Sequence, residues 1–104
     1  MLSTRFQIAV WTRGSGKPTR AFELFTELLQ DSIRVLGEHH PHTVSIRFRI
    51  GLVAKDIGRR ELAVEQLEIV RREWAKRFGS DSERVNTATA LIEKVRDSEE
   101  STKD

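Results

Sequence analysis

The chain has 104 residues, 38% of them hydrophobic and 33% charged, and its 18 basic and 16 acidic residues leave a net charge of only +2. This length and composition suit one small domain and exclude a disordered chain, which would have fewer apolar residues and a larger net charge. The absence of cysteine excludes disulfides and thiolate chemistry.

The first two predicted helices span residues 3–14 and 18–36, and a glycine-containing turn separates them. Pro18 suits the first turn of the second helix, where its missing N–H costs nothing. The second helix has an apolar stripe at helical spacing: Ala21, Phe25, Leu28 and Leu36. Gly37 follows this helix, where we expect a left-handed helix terminator.

Three more helices are predicted at 41–57, 60–78 and 83–98. We expect His40 and Ser82 to cap the third and fifth helices, and Gly79 to terminate the fourth. Two further stripes support these helices: Ile46, Ile50, Val53 and Ile57 in the third, and Ala63, Leu67, Val70 and Phe78 in the fourth. The polar tail 99–104 is expected to fray, and no strand is needed.

The turn Gly14-Ser15-Gly16-Lys17 superficially matches a phosphate-binding loop. Such a loop has the pattern G-x-x-x-x-G-K-[ST] between a strand and a helix. Here Trp11 occupies the first glycine position, Pro18 follows the lysine, and the preceding segment has a helical pattern. We therefore interpret this stretch as a helix–helix turn.

The chain repeats itself without a gap at an offset of 42 residues, for example from Gly16 to Gly58. The identical pairs are Ser3/Ser45, Arg5/Arg47, Phe6/Phe48, Ile8/Ile50, Gly16/Gly58, Ala21/Ala63, Glu23/Glu65, Gly37/Gly79 and Val53/Val95. Both pairs of turn glycines coincide, as do the apolar stripes between them. The repeating unit is therefore a helical hairpin.

This pattern resembles the tetratricopeptide repeat, in the long form found in kinesin light chains and many bacterial signalling proteins. Residues 34–67 resemble its linker, first helix, turn and second helix, and the linker motif reads Leu36-Gly37-Glu38-His39-His40-Pro41. The family's small-residue positions are filled by Ala9, Ala21, Gly51 and Ala63, and the larger residue that follows is Phe25 or Leu67. A third copy keeps only its first helix and carries Glu93 at the small-residue position.

The resemblance implies an all-α, right-handed superhelix of antiparallel helix pairs with about 2.5 repeats. The repeats would be 1–40 and 41–82, followed by a half repeat at 83–98, within a single domain over 1–98. The expected function is a non-enzymatic protein–protein interaction module. The alternative is a self-association or scaffold element from a larger bacterial signalling or regulatory protein, whose open repeat ends pair in a homodimer.

In this family the first helices of successive repeats line a concave groove. At the 42-residue offset, the corresponding positions here form three rungs: Phe6, Phe48 and Ala90; Val10, Leu52 and Lys94; and Arg13, Lys55 and Asp97. The resemblance therefore implies a partner-binding set of Phe6, Val10, Arg13, Phe48, Leu52 and Lys55. This set would hold an extended or helical peptide carrying acidic groups. The alternative is that Phe6 and Phe48 only stack between adjacent repeats.

Other candidate sites receive simpler interpretations. His39, His40 and His42 lie in one linker without a second ligand cluster, so we expect no physiological metal. The basic pairs Arg59-Arg60, Arg71-Arg72 and Lys76-Arg77 are interspersed with glutamates, so we expect i,i+4 ion pairs rather than nucleic-acid binding. Trp11 and Trp74 are predicted to be packing residues.

Several classes of function are therefore not expected. No combination of residues suggests a nucleophile, base and oxyanion site, and we expect no catalysis and no cofactor. The sequence contains neither a long apolar run nor a signal-peptide pattern, so a cytoplasmic protein without membrane contact is expected.

Overall fold

Four glycines set the boundaries of the helical hairpins. The computed structural model describes the backbone of residues 2–101 and the side chains of residues 4–97. Gly16 and Gly58 both have φ of 82°, while Gly37 and Gly79 have φ of 94° and 93°. Glycine reaches this region without the steric cost that a Cβ atom imposes. The backbone conformation thus recurs at the same 42-residue offset as the sequence.

Five helices lie between these turns, and the described residues contain no strand. They are α1 (Leu2–Gly14), α2 (Pro18–Leu36), α3 (Pro41–Asp56), α4 (Arg60–Phe78) and α5 (Glu83–Ser101). The all-α prediction is therefore confirmed, and the predicted bounds of α2 and α4 match those observed.

The C-terminal end of α5 differs from the prediction. The helix was expected to end at residue 98, but α5 continues to Ser101. Glu99 and Glu100 favour helix, and neither glycine nor proline interrupts this segment. Residues 102–104 lie outside the described part of the chain.

The predicted helix caps are present. The Nδ1 atom of His40 accepts a hydrogen bond from the backbone N–H of His42 at 3.0 Å. The Oγ atom of Ser82 accepts one from the N–H of Val85 at 3.3 Å. Gly37 ends α2 as expected, but its ψ of 160° places it in the extended positive-φ region rather than in the left-handed helical region. This region is nearly exclusive to glycine, so the residue was predicted correctly but its conformation was not.

The helices pack mainly on their neighbours in sequence, with a smaller contact between α1 and α3. One buried cluster joins α1, α2 and α3, and it consists of Ala9, Ala21, Phe25, Leu28, Ile46, Ile50 and Val53. A second cluster joins α3, α4 and α5 through Ala54, Ala63 and Val95. Between α2 and α3, the buried hydroxyls of Ser32 and Thr43 are hydrogen-bonded at 2.7 Å. This serial packing is consistent with a helical repeat.

Candidate functional site

The helices that carry the predicted partner-binding residues are neighbours. At their C-terminal ends, Arg13 Nε of α1 donates a hydrogen bond to Asp56 Oδ2 of α3 at 2.7 Å. Further towards their N-terminal ends, the Arg49 guanidinium of α3 lies 5.8 Å from the ring centroid of Phe6. We call the predicted set of Phe6, Val10, Arg13, Phe48, Leu52 and Lys55 the α1–α3 face.

The two phenylalanines of this face are half-buried in aromatic contacts. The Phe6 ring lies edge-on to Phe25, with a centroid distance of 5.8 Å, and 5.5 Å from the ring of His42. The Phe48 ring lies 5.2 Å from that of Trp74. Much of each ring therefore serves packing between helices. The Phe6–Phe25 and Phe48–Trp74 contacts each lie within one predicted repeat, whereas the Phe6–His42 contact joins adjacent repeats.

The remaining four residues of the α1–α3 face differ in burial and in their ion-pair partners. Val10 is half-buried and packs against the first core cluster, and Leu52 is also half-buried. The charge of Arg13 is balanced by Asp56. Among the described side chains, Lys55 has no carboxylate within ion-pair distance. Lys55 is therefore the available cation at the predicted basic edge.

The two tryptophans have opposite environments. Trp74 is half-buried against Phe48, which confirms its predicted packing role. The same prediction for Trp11 is wrong, because 74% of this residue is exposed. Its neighbour Ile8 is 51% exposed, and we call these two residues the Ile8–Trp11 patch.

Comparison with the equivalent residues 42 positions later shows why the Ile8–Trp11 patch is exposed. The equivalent residues one repeat later, Ile50 and Val53, are 3% and 0% exposed because they pack with Phe25 and Leu28 of α2. Within the described chain, no helix covers α1 as α2 covers α3.

The three histidines of the linker have different partners. His39 Nδ1 lies 2.8 Å from Glu73 Oε2. His40 caps α3, and His42 packs against Phe6. Among the residues that the structure describes, no group of three or more His, Cys, Asp or Glu side chains could hold a metal ion.

The predicted i,i+4 ion pairs on α4 are wrong for the described side chains. Glu68 instead accepts a hydrogen bond from Arg96 of α5 at 2.7 Å, and Glu73 contacts His39 of the α2–α3 linker. Neighbouring elements thus provide the partners of these two glutamates. Arg59 lies over the ring of Phe22, at 5.3 Å from its centroid.

Sequence analysis missed one site, a cavity of about 290 Å³ between the α2–α3 linker, α3 and α4. Its lining residues are mostly charged and comprise Glu38, His39, Arg47, Ile69, Arg72, Glu73 and Lys76. The i,i+4 spacing of Arg72 and Lys76 indicates one shared helix face. That Arg47 of α3 lines the same cavity could be recognised only from the tertiary structure.

Comparisons with known proteins identify no family for this chain. Among the described residues, no helix combines the length and apolar character needed to cross a bilayer. The chain matches no protein-family model and no curated protein. The resemblance to tetratricopeptide repeats therefore depends on the residues quoted above.

Proposed function

We propose that this chain is a tetratricopeptide-like, right-handed superhelix of about 2.5 repeats that binds a partner protein without catalysing a reaction. The recurrence of backbone conformation at the 42-residue offset carries the proposal. Gly16 matches Gly58 and Gly37 matches Gly79 in φ, so α1 and α3 are equivalent first helices of successive repeats. Their α1–α3 face is the proposed binding surface.

The chemistry of this face indicates the kind of partner. Val10 and Leu52 offer apolar area that is partly accessible, while Lys55 offers a positive charge without a close carboxylate among the described side chains. Apolar burial would supply affinity, and the cation would orient an acidic segment. We therefore expect a peptide that combines acidic and apolar residues.

The test begins with selection of peptides from a displayed random library on the untagged full chain. We expect selected peptides to be enriched in acidic and apolar residues. Their affinity, measured by fluorescence anisotropy, should fall roughly tenfold in Lys55→Glu, because an attractive charge pair becomes repulsive.

The matched control is Arg77→Glu, which makes the same charge change at an exposed position of α4. It should leave peptide affinity unchanged. Equal binding to Lys55→Glu and the wild-type chain, or selection without any common sequence pattern, would contradict the proposed surface. Circular dichroism of both variants verifies that the helices remain intact.

The exposed Ile8–Trp11 patch favours self-association as a second candidate function. The equivalent residues Ile50 and Val53 are buried, so this patch has the character of a helix-packing surface. A second copy of the chain could cover it and form a homodimer or scaffold. In that case α1, rather than the α1–α3 face, would be the functional element.

A further inference from the structure

The charged cavity between the α2–α3 linker, α3 and α4 contains an arginine, Arg47, whose ion pair is long and whose carboxylate partner is exposed. Arg47 is 11% exposed at its side chain, and its Nη1 atom donates a hydrogen bond to the neutral amide of Gln66 at 3.0 Å. Its Nη2 atom lies 3.7 Å from Glu38, whose side chain is 64% exposed. Its Nε atom is buried without a hydrogen-bond partner. The guanidinium thus retains unused donor capacity.

The first repeat shows how the equivalent arginine is paired. Arg5, one repeat earlier, donates to Asp31 at 2.5 Å. The residue equivalent to Asp31 is Glu73, but this carboxylate contacts His39 Nδ1 at 2.8 Å. The carboxylate that would pair with Arg47 by analogy is therefore engaged by the histidine.

Two more cations line the same cavity. Arg72 and Lys76 lie one turn apart on α4. Among the described side chains, neither has a carboxylate within ion-pair distance. With Arg47 they make three permanent positive charges against the two carboxylates Glu38 and Glu73. The cavity therefore has an excess of positive charge and of hydrogen-bond donors.

We propose that this cavity binds a small oxyanion, a phosphate or carboxylate group, between Arg47, Arg72 and Lys76. A guanidinium presents paired N–H donors that match the oxygens of either group, and Lys76 adds a mobile charge. The cavity volume is about 290 Å³. It therefore accommodates the anionic group together with a small organic portion.

This site is separate from the α1–α3 face, since none of that face's six residues lines the cavity. The outcome of the peptide-binding test therefore has no bearing on the anion-binding proposal.

The test is a titration of the untagged full chain at neutral pH and constant ionic strength, with inorganic phosphate in one series and citrate in another. Proton–nitrogen NMR spectra follow the backbone amides and the arginine Nε–H groups. We expect saturable shifts of the Arg47 Nε–H and of the amides of residues 72–76. Saturation by phosphate identifies a phosphate site, and saturation by citrate alone identifies a carboxylate site; either supports the proposal.

The variant Arg72→Gln/Lys76→Gln should weaken anion binding roughly tenfold, because two exposed charge contacts are lost. The matched control Arg71→Gln/Arg77→Gln removes the same number of charges from α4 outside the cavity and should retain the wild-type affinity. Both pairs leave the less exposed Arg47 in place, and circular dichroism of the two variants verifies that the helices remain intact. Equal weakening in the two variants, shifts reproduced by chloride, or absence of saturation with both anions would overturn the proposal.

Discussion

His42 makes the stability of the folded chain sensitive to pH. Its Nε2 atom is buried without a hydrogen-bond partner, and its ring lies against Phe6. Burial, and secondarily the charge of His40, lowers the pKa of His42 from its ordinary value of 6.5. The native state therefore favours the neutral imidazole.

Because the folded-state pKa is the lower one, the unfolded chain binds a proton at His42 more readily than the native chain does. The stability associated with neutral His42 is fully present above pH 6.5 and is lost as the pH falls through the lowered pKa. We predict that the free energy of unfolding, measured by urea denaturation, decreases over this range. His42→Gln should reduce that decrease.

His39→Gln is the matched control, because His39 is largely exposed, and it should retain the decrease. An NMR titration of the His42 ring with a midpoint at or above 6.5 would refute the prediction. The pKa of Asp31 is also lowered, mainly by its hydrogen bond with Arg5, so its contribution to stability is lost as the pH falls through that lowered pKa.

At the level of elements, α3 and α4 approach closely at Gly51. A Cβ atom on Gly51 would lie 2.8 Å from Leu67 Cγ and 3.5 Å from the Ala63 carbonyl oxygen. Leu67 is 1% exposed, so it has little room to move. Overpacking of this kind costs about 1–3 kcal/mol, against a gain of about 1 kcal/mol in helix propensity.

We predict that Gly51→Ala lowers the free energy of unfolding by about 1 kcal/mol, measured by urea denaturation. Gly14→Ala is the control, because a Cβ atom there meets nothing within 4 Å and φ is not positive. It should be neutral or slightly stabilising. A Gly51→Ala chain as stable as the wild type would show that α3 and α4 separate at little cost.

The helices themselves were largely predictable, whereas the partners of their charged groups were not. Spacing of apolar residues, caps and turn glycines depends on local sequence, and it located α2 and α4 correctly. The partners of Glu68 and Glu73 come from α5 and the α2–α3 linker. Local spacing could not identify them, because ion-pair choice depends on which elements lie side by side.

For the whole molecule, the exposed Ile8–Trp11 patch leads to a prediction about oligomeric state. If a second copy covers this patch, light scattering across a concentration series should show a dimer. Trp11→Lys should convert that dimer to monomer, because burial of a charge without a partner is unfavourable. The matched control is Val35→Lys, which alters another exposed apolar residue, 64% exposed, on α2.

A wild-type chain that remains monomeric at every concentration would contradict self-association. So would a dimer that survives Trp11→Lys but dissociates in Val35→Lys. A monomer would leave the α1–α3 face as the favoured interaction surface.

The sequence by itself determined the helical class, the positions of the turns and the 42-residue repetition, because these depend on local conformation and periodic burial. Only the tertiary structure decided that Trp11 is exposed while Trp74 is packed, since exposure depends on whether a neighbouring helix is present. It also decided that Arg47 faces Gln66 and that Glu73 faces His39. These contacts join residues far apart in the chain, and only the packing of α3, α4 and the linker brings them together.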